Sequence, residues 1–429
     1  MPTTPSLFSK KRWLSWPFVP GLLIFFSVFG PATITAMADN DAGGVATYSM
    51  AGATLGYPVL ALLPILTLLL AVTQEMGMRL TLVTRRGLAD LIRERFGVRV
   101  SIIIFSALLI ANLGTLTVEF SAFKTTSAML NLPVIPFILV VVTLLILVMT
   151  RGNYKLTQGI MLISSLFYIA YIISAVKVHP DWPLALTNVI YPHGVAFTPA
   201  YLRSYLLIGM GVLGTTITPW GQFFISSFAY DKKIEAGKIF YSQLETYVGA
   251  FLTDFFSFFM IVATAATLFV NGIPLISGDA AAKAIEPFAG ALASTLFAVG
   301  ILIAGFMGLI AVSLSTAYAF AEFFGIQGSL DSNYKQSKSF YTLIFIQLIV
   351  ALIIALLPGV SLFSIAILSQ TINAIALPLV FYYLIKLTDD KQLMGEHKNN
   401  LFQKWFAIFG AVAIFIASVA TLSATFFKV

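Results

Sequence analysis

Two apolar stretches of this chain are interrupted at their centres, and the first interruption holds two carboxylates. Residues 21–38 run apolar into Asp39-Asn40-Asp41-Ala42-Gly43-Gly44, and the apolar run resumes over 45–56. A carboxylate at membrane depth costs at least ~2.5 kcal/mol even on the most lenient insertion scale. Packing alone is a poor reason for two of them within three residues, beside a Gly-Gly pair that disfavours helix. The second interruption reads Gly214-Thr215-Thr216-Ile217-Thr218-Pro219-Trp220-Gly221. Paired interruptions in corresponding segments of two halves point to the binding site of a membrane transporter.

That argument requires a membrane, and the composition supplies one. Of 429 residues, 59% are hydrophobic and only 10% charged, which describes a polytopic membrane protein embedded in a lipid bilayer. There is no cysteine, which excludes disulfides and thiolate metal ligands. The net charge of +7 needs no nucleic acid, because basic residues of membrane proteins collect in cytoplasmic loops. Lys10-Lys11-Arg12 ahead of an apolar run has the form of a signal peptide. No small-residue cleavage site follows at the right distance, so a retained first helix is expected.

Eleven spanning segments are expected: 20–56 (broken), 58–83, 99–128, 133–150, 156–177, 200–229 (broken), 242–271, 288–324, 339–357, 361–386 and 404–426. With the N-terminus inside, the inner loops hold Arg85, Arg86, Arg93, Arg95, Arg99, Arg151, Lys155, Lys232, Lys233, Lys238, Lys335, Lys338, Lys391, Lys398 and Lys404. The outer loops hold little beyond Lys177 and Lys283. This asymmetry predicts a cytoplasmic N-terminus and an external C-terminus in the plasma (inner) membrane. The outer connection 178–198, with Pro180, Pro183 and Pro192, reads either as a cap over the pathway or as a plain exposed loop. The breaks fall in the first and sixth segments. The expected organisation is a cytoplasmic tail (1–19), a first repeat (20–190), a second, inverted repeat (191–386), and an added helix with the C-terminus (387–429).

Unwound backbone at membrane depth is tolerated where it lines a cavity or is buried in protein. Asp39, Asp41, the carbonyls near Ala38 and Asn40, the hydroxyls of Thr215 and Thr218, and the amide of Gln370 form a set of hard oxygen donors. Such a set suits magnesium, manganese or calcium. His179, His193 and His397 fall in expected loops, so no intramembrane imidazole is available. No resident cofactor is expected.

The chain resembles the Nramp family of divalent metal transporters. The resemblance rests on Gly30-Pro31-Ala32, Asp41-Ala42-Gly43-Gly44, Ala51-Gly52-Ala53, Gly56-Tyr57, Arg79, Gly87-Leu88-Ala89, Arg93-Glu94-Arg95-Phe96, and Ser369-Gln370 with Leu377-Pro378. It implies an all-α fold of the leucine-transporter type, with eleven helices in a five-plus-five inverted repeat, broken at the first and sixth. The family's first-helix motif is Asp-Pro-Gly-Asn; its aspartate matches Asp41, and Gly44 stands at its asparagine, which places both in the expected metal site. The sixth-helix motif Ala-x-x-Met-Pro-His is replaced here, with Thr215, Thr218 and Trp220 at the alanine, methionine and histidine. In the third helix Glu119 remains, while Leu116 stands where the family carries Asp.

These departures resemble the magnesium branch related to Nramp. Loss of a soft thioether removes discrimination against magnesium. Shorter side chains at Gly44 and Thr218 are expected to leave room for a partly hydrated ion, with Asp39 adding negative potential. The missing acid and histidine imply uptake without proton coupling, driven by the membrane potential at ~2.3 kcal/mol per charge per 100 mV. The expected cargo is Mg2+, with Mn2+ also carried, by alternating access.

Other readings stand beside this one. Asp39 contacts the ion or faces a vestibule, and Asn40 ligates or caps the second half-helix. Thr215 and Thr218 ligate or bond back to carbonyls. Trp220 is placed on the pathway. Glu119 is a gate or proton site, or else pairs with Lys124. Asp254 lines the exit path, or else pairs with Arg203. Competing functions are a proton-coupled Mn2+/Fe2+ importer of the ordinary Nramp kind, a sodium-coupled organic-solute symporter and a channel. No nucleotide-binding loop or nucleophile–base pair suggests an enzyme.

Overall fold

A computed structural model describes residues 25–151, 153–275, 291–332 and 334–426. Every regular element among them is helical. Residues 20–24 of the first expected segment and 288–290 of the eighth lie outside the described residues. Nine helical stretches among the described residues are long and apolar enough to cross a membrane. Large apolar side chains face outward along them, including Ile103, Ile110, Ile163 and Phe409. A lipid exterior accounts for that surface, since helices satisfy their own backbone groups.

The first broken segment consists of α1 (Pro31–Ala38) and α2 (Ala42–Leu55). A 3₁₀ turn at Tyr57–Leu62 leads into α3 (Leu63–Thr84). Next come α4 (Leu88–Met129), α5 (Val134–Arg151), α6 (Tyr154–Ser165) and α7 (Ile169–Lys177). Gly97 (φ 85°) has non-helical backbone and kinks α4, so a short helix from Leu88 precedes it and the long apolar helix starts just after it, close to the expected 99. The connection 178–198 contains α8 (Trp182–Ile190), N-capped by Asp181, and α8 packs on the Tyr57–Leu62 turn.

The second broken segment consists of α9 (Pro199–Thr216) and α10 (Pro219–Asp231). Both halves open on the same local device. A threonine, Thr198 or Thr218, accepts from the backbone N–H three residues on, and a proline fills the first helical position, where no N–H partner is needed. The chain then continues through α11 (Ile239–Thr264), α12 (Ala291–Phe324), α13 (Lys338–Leu356), α14 (Leu362–Thr388), the short α15 (Lys391–Met394) and α16 (Leu401–Phe426).

The broken helices sit at the centre. Helix α11 packs on α1, α2 and α3; α9 packs on α2 and α14; α10 packs on α3 and α12. The approach of α9 to α14 is close enough to require glycine, since a Cβ on Gly214 would lie 1.8 Å from the Gln370 carbonyl oxygen. That contact brings Gln370 level with the breaks.

The N-terminal end of α1 is tied down from three directions. Glu245 Oε1 of α11 accepts from Gly30 N at 2.6 Å and from Thr33 N at 3.1 Å, an anion on a helix N-terminus. Lys232 Nζ donates to the Val28 and Phe29 carbonyls, and Gln158 Nε2 donates to Phe29 O at 2.8 Å.

Candidate metal centre

The first break leaves the N-terminal amides of α2 without helical partners, and two carboxylates answer them. Asp41 caps the helix itself, its Oδ1 accepting from Gly44 N at 2.8 Å. Glu119 reaches across from α4; its Oε2 accepts from Ala42 N at 3.1 Å and its Oε1 from Gly43 N at 3.4 Å. The two carboxyl groups stand side by side on the same helix end, both against Gly308. Gly308 of α12 closes over them: a Cβ there would lie 2.7 Å from Glu119 Cδ and 2.8 Å from Asp41 Cβ. Asp39, Asn40, Asp41 and Glu119 are at most 1% exposed, so the site is sealed on every side.

Gln370 completes this corner. A Cβ on Gly43 would meet its Nε2 at 2.6 Å. Its Oε1 accepts from Asn373 Nδ2 at 2.7 Å, while its Nε2 and Asn373 Oδ1 have no hydrogen-bond partner. Turning both amides over keeps the bond between them and aims the Gln370 carbonyl oxygen at the break.

Asp39 does different work. Its backbone carbonyl accepts from Thr215 Oγ1 at 3.4 Å, its Oδ1 from Thr218 Oγ1 at 2.9 Å, and its Oδ2 from Gln74 Nε2 at 3.3 Å. Asp39 therefore joins the two breaks to each other. Asn40 is neither cap nor free donor, because its amide bonds the Thr253 carbonyl and Ser257 Oγ of α11, both at 2.9 Å. The hydroxyl of Tyr168 meets the Asn40 carbonyl at 2.7 Å and the Met37 carbonyl at 3.2 Å. Thr216 bonds Tyr48 at 2.7 Å.

Several expectations are corrected by this geometry. Gly44 opens no space for a hydrated ion: a Cβ there would lie 2.6 Å from Asp39 O and 3.1 Å from Thr215 Oγ1, so that volume is already filled. Thr218 is engaged twice, as the cap of α10 and as the donor to Asp39. Trp220 is fully buried, with its carbonyl accepting from Ser315 at 2.8 Å. Glu119 does not pair with Lys124, whose Nζ bonds the Val360 carbonyl at 3.2 Å. Asp254 does not pair with Arg203; it accepts from Thr67 Oγ1 at 2.5 Å, while Arg203 bonds the Ala424 carbonyl.

Sequence reasoning missed Gln74, Tyr168 and Gly308. Gln74 was findable as a polar residue midway along an apolar run; Tyr168 and Gly308 carry no such mark. Among the described residues no group of three or more His, Asp or Glu side chains converges to hold a metal. Any ion here therefore draws on amide and backbone oxygens as well.

A helical bundle in lipid, with two interrupted helices meeting at a sealed acidic point, defines a polytopic membrane transport protein. The chain belongs to the Nramp family, whose model, described as natural resistance-associated macrophage protein-like, matches residues 32–424. That family comprises transporters, not enzymes.

The divalent metal cation transporter MntH of Verminephrobacter eiseniae is 24% identical over 413 residues, covering 92% of this chain and 89% of that protein. MntH of a Listeria monocytogenes strain is 25% identical over 413 residues, covering 91% and 88%. A histidine-to-alanine variant of the Eremococcus coleocola manganese transporter shares the fold, with a TM-score of 0.73 at 18% identity, covering 96% of this chain and 89% of that one. A complex of the same transporter with an aromatic bis-isothiourea compound gives 0.72 at 19% identity, covering 98% and 89%. These relatives overturn the expectation of a magnesium carrier working without protons. They are divalent metal cation and manganese transporters, and the space reserved for a hydrated magnesium ion at Gly44 is occupied.

Proposed function

We propose that the chain is a secondary transporter importing divalent metal ions, manganese foremost, in exchange for or together with protons. The observation that carries this is the closure of Asp41 and Glu119 on the N-terminus of α2, beside the Gln370 amide. Two carboxyl groups crowded together away from water hold a proton between them in preference to two full charges. A divalent ion arriving at Asp41 takes that proton's place, so metal and proton movements are linked at one point. Manganese accepts all-oxygen sites, so the missing thioether is no barrier. Asp41, the Gln370 carbonyl and freed backbone carbonyls are the assigned ligands. Asp39, Thr215 and Thr218 hold the two breaks in register, and Gly44 serves through its N–H and its small size. Asp254, buried beside Thr67, is assigned to the path.

We further propose eleven crossings in two inverted repeats, 20–190 and 191–386, with a cytoplasmic N-terminus in the plasma membrane, on the strength of the charge asymmetry. The test is uptake into liposomes carrying the purified chain, with manganese and pH dyes read together, for this chain and Asp41→Ala. Manganese entry with proton movement, abolished by the substitution, is expected. Manganese entry without proton movement overturns the coupling, and uptake unchanged in Asp41→Ala overturns the site.

A further inference from the structure

A second site lies on the outside of the bundle, between α14 and α16. The groove there, about 670 Å³, is lined on one side by Pro378, Tyr382, Ile385 and Lys386 of α14 and by Asp389 and Asp390 just past its end. Its other wall is Lys404, Ile408, Ala411, Val412 and Phe415 of α16. From Pro378 to Asp389 and from Lys404 to Phe415, each wall steps by four, three, one and three residues, which is one face of a helix. The two strips are antiparallel, so every charged group falls at one end and the other end is wholly apolar.

The dimensions match one membrane leaflet. Eleven residues of helix span about 16 Å, against half of a hydrocarbon core of about 30 Å. The charged end adjoins the connection carrying Lys391 and Lys398, and so lies at the inner interface by the same asymmetry that orients the chain. At that end the two acids are already matched: Asp389 pairs with Lys404 at 2.7 Å and Asp390 with Arg95 at 3.6 Å. Lys386 has no carboxylate partner among the described residues; its ammonium lies 5.7 Å from the centre of the Tyr382 ring. The groove thus ends on one uncompensated positive charge.

We infer that this groove binds an anionic phospholipid of the inner leaflet, one acyl chain lying between α14 and α16 and the phosphate on Lys386. Basic pockets between helices on the cytoplasmic side have the chemistry to hold such headgroups. Zwitterionic lipid fills the same apolar length but gains less from the unpaired cation.

Native mass spectrometry of the full detergent-purified chain, titrated with phosphatidylglycerol or phosphatidylcholine of the same acyl chains, tests this. The expected result is tighter retention of phosphatidylglycerol. Lys386→Gln should weaken it about five-fold, one basic residue's share near an anionic surface. Lys398→Gln, an exposed base off the groove, should leave it unchanged. Ala411→Phe, which fills the groove without altering charge, should reduce retention of both lipids. Equal retention of the two lipids, or equal effects of Lys386→Gln and Lys398→Gln, overturns the inference.

Discussion

Replacing Glu245 by alanine should release the N-terminal end of α1 and open the sealed site on that side, which is the cytoplasmic side in the proposed orientation. The carboxylate holds that end by two hydrogen bonds, from Gly30 N at 2.6 Å and Thr33 N at 3.1 Å, inside protein rather than in water. A hydrogen bond to a charged group contributes about 1.5–3 kcal/mol, and stranding its buried partner costs a similar amount. Two bonds at the low end give about 3 kcal/mol, or roughly a hundredfold shift from closed to open. The open form loses less, because water reaches the freed amides there. The chain has no cysteine, so Thr33→Cys places one thiol beside the latch at a position only 4% exposed. Labelling of that thiol by a water-soluble maleimide in inside-out vesicles should accelerate by at least about tenfold when Glu245→Ala is added. Glu245→Gln, which keeps a neutral acceptor, should restore part of the protection. If labelling proceeds at the same rate with and without the carboxylate, the latch does not hold α1 and the reasoning fails.

Three further outcomes are expected. Gly308→Ala forces a methyl group into the space between Asp41 and Glu119, an overpacking of about 1–3 kcal/mol, so manganese uptake should drop about tenfold or more while the purified protein keeps its helical circular-dichroism signal. Thr218→Ala removes both the α10 cap, about 1 kcal/mol, and a donor to Asp39, so the apparent Tm should fall; Thr218→Ser keeps both bonds and should sit close to the parent. Burial, opposed by the Glu245 charge, pushes the Lys232 ammonium down to about 8. The folded chain then releases this proton before the unfolded one, so the residue's contribution to stability should grow as pH rises from about 8 to about 10.5, and Lys232→Met should flatten that part of a Tm-against-pH curve.

The breaks were legible because polar residues in the middle of apolar runs contradict the membrane around them, and Asp41 was legible with them. What each polar group does was not. Asp39 and Thr218 look like donors awaiting an ion when each is read on its own segment. Only the packing of α1 against α10 shows that they answer each other. Gly44 misled for a related reason: a missing side chain reads as space, yet the Asp39 carbonyl already fills that volume. The latch at Glu245 depends on a contact more than two hundred residues apart in sequence, beyond the reach of any local pattern. The cargo was misjudged because a sixth-helix motif was allowed to decide it alone, whereas the acidic pair on α2 is built from other elements.

Tyr168 offers one hydrogen to two carbonyls. A hydroxyl has a single proton to give, so the Asn40 and Met37 oxygens compete for it, the Asn40 oxygen being the nearer at 2.7 Å. Met37 has a second source in the Asn40 amide, at 3.1 Å, and keeps a partner whichever way the ring's hydroxyl leans. When it leans toward Met37, the Asn40 oxygen is the one left vacant. Rotation about the single C–O bond of Tyr168 therefore decides which carbonyl beside Asp41 its hydroxyl covers, without unwinding another residue of helix.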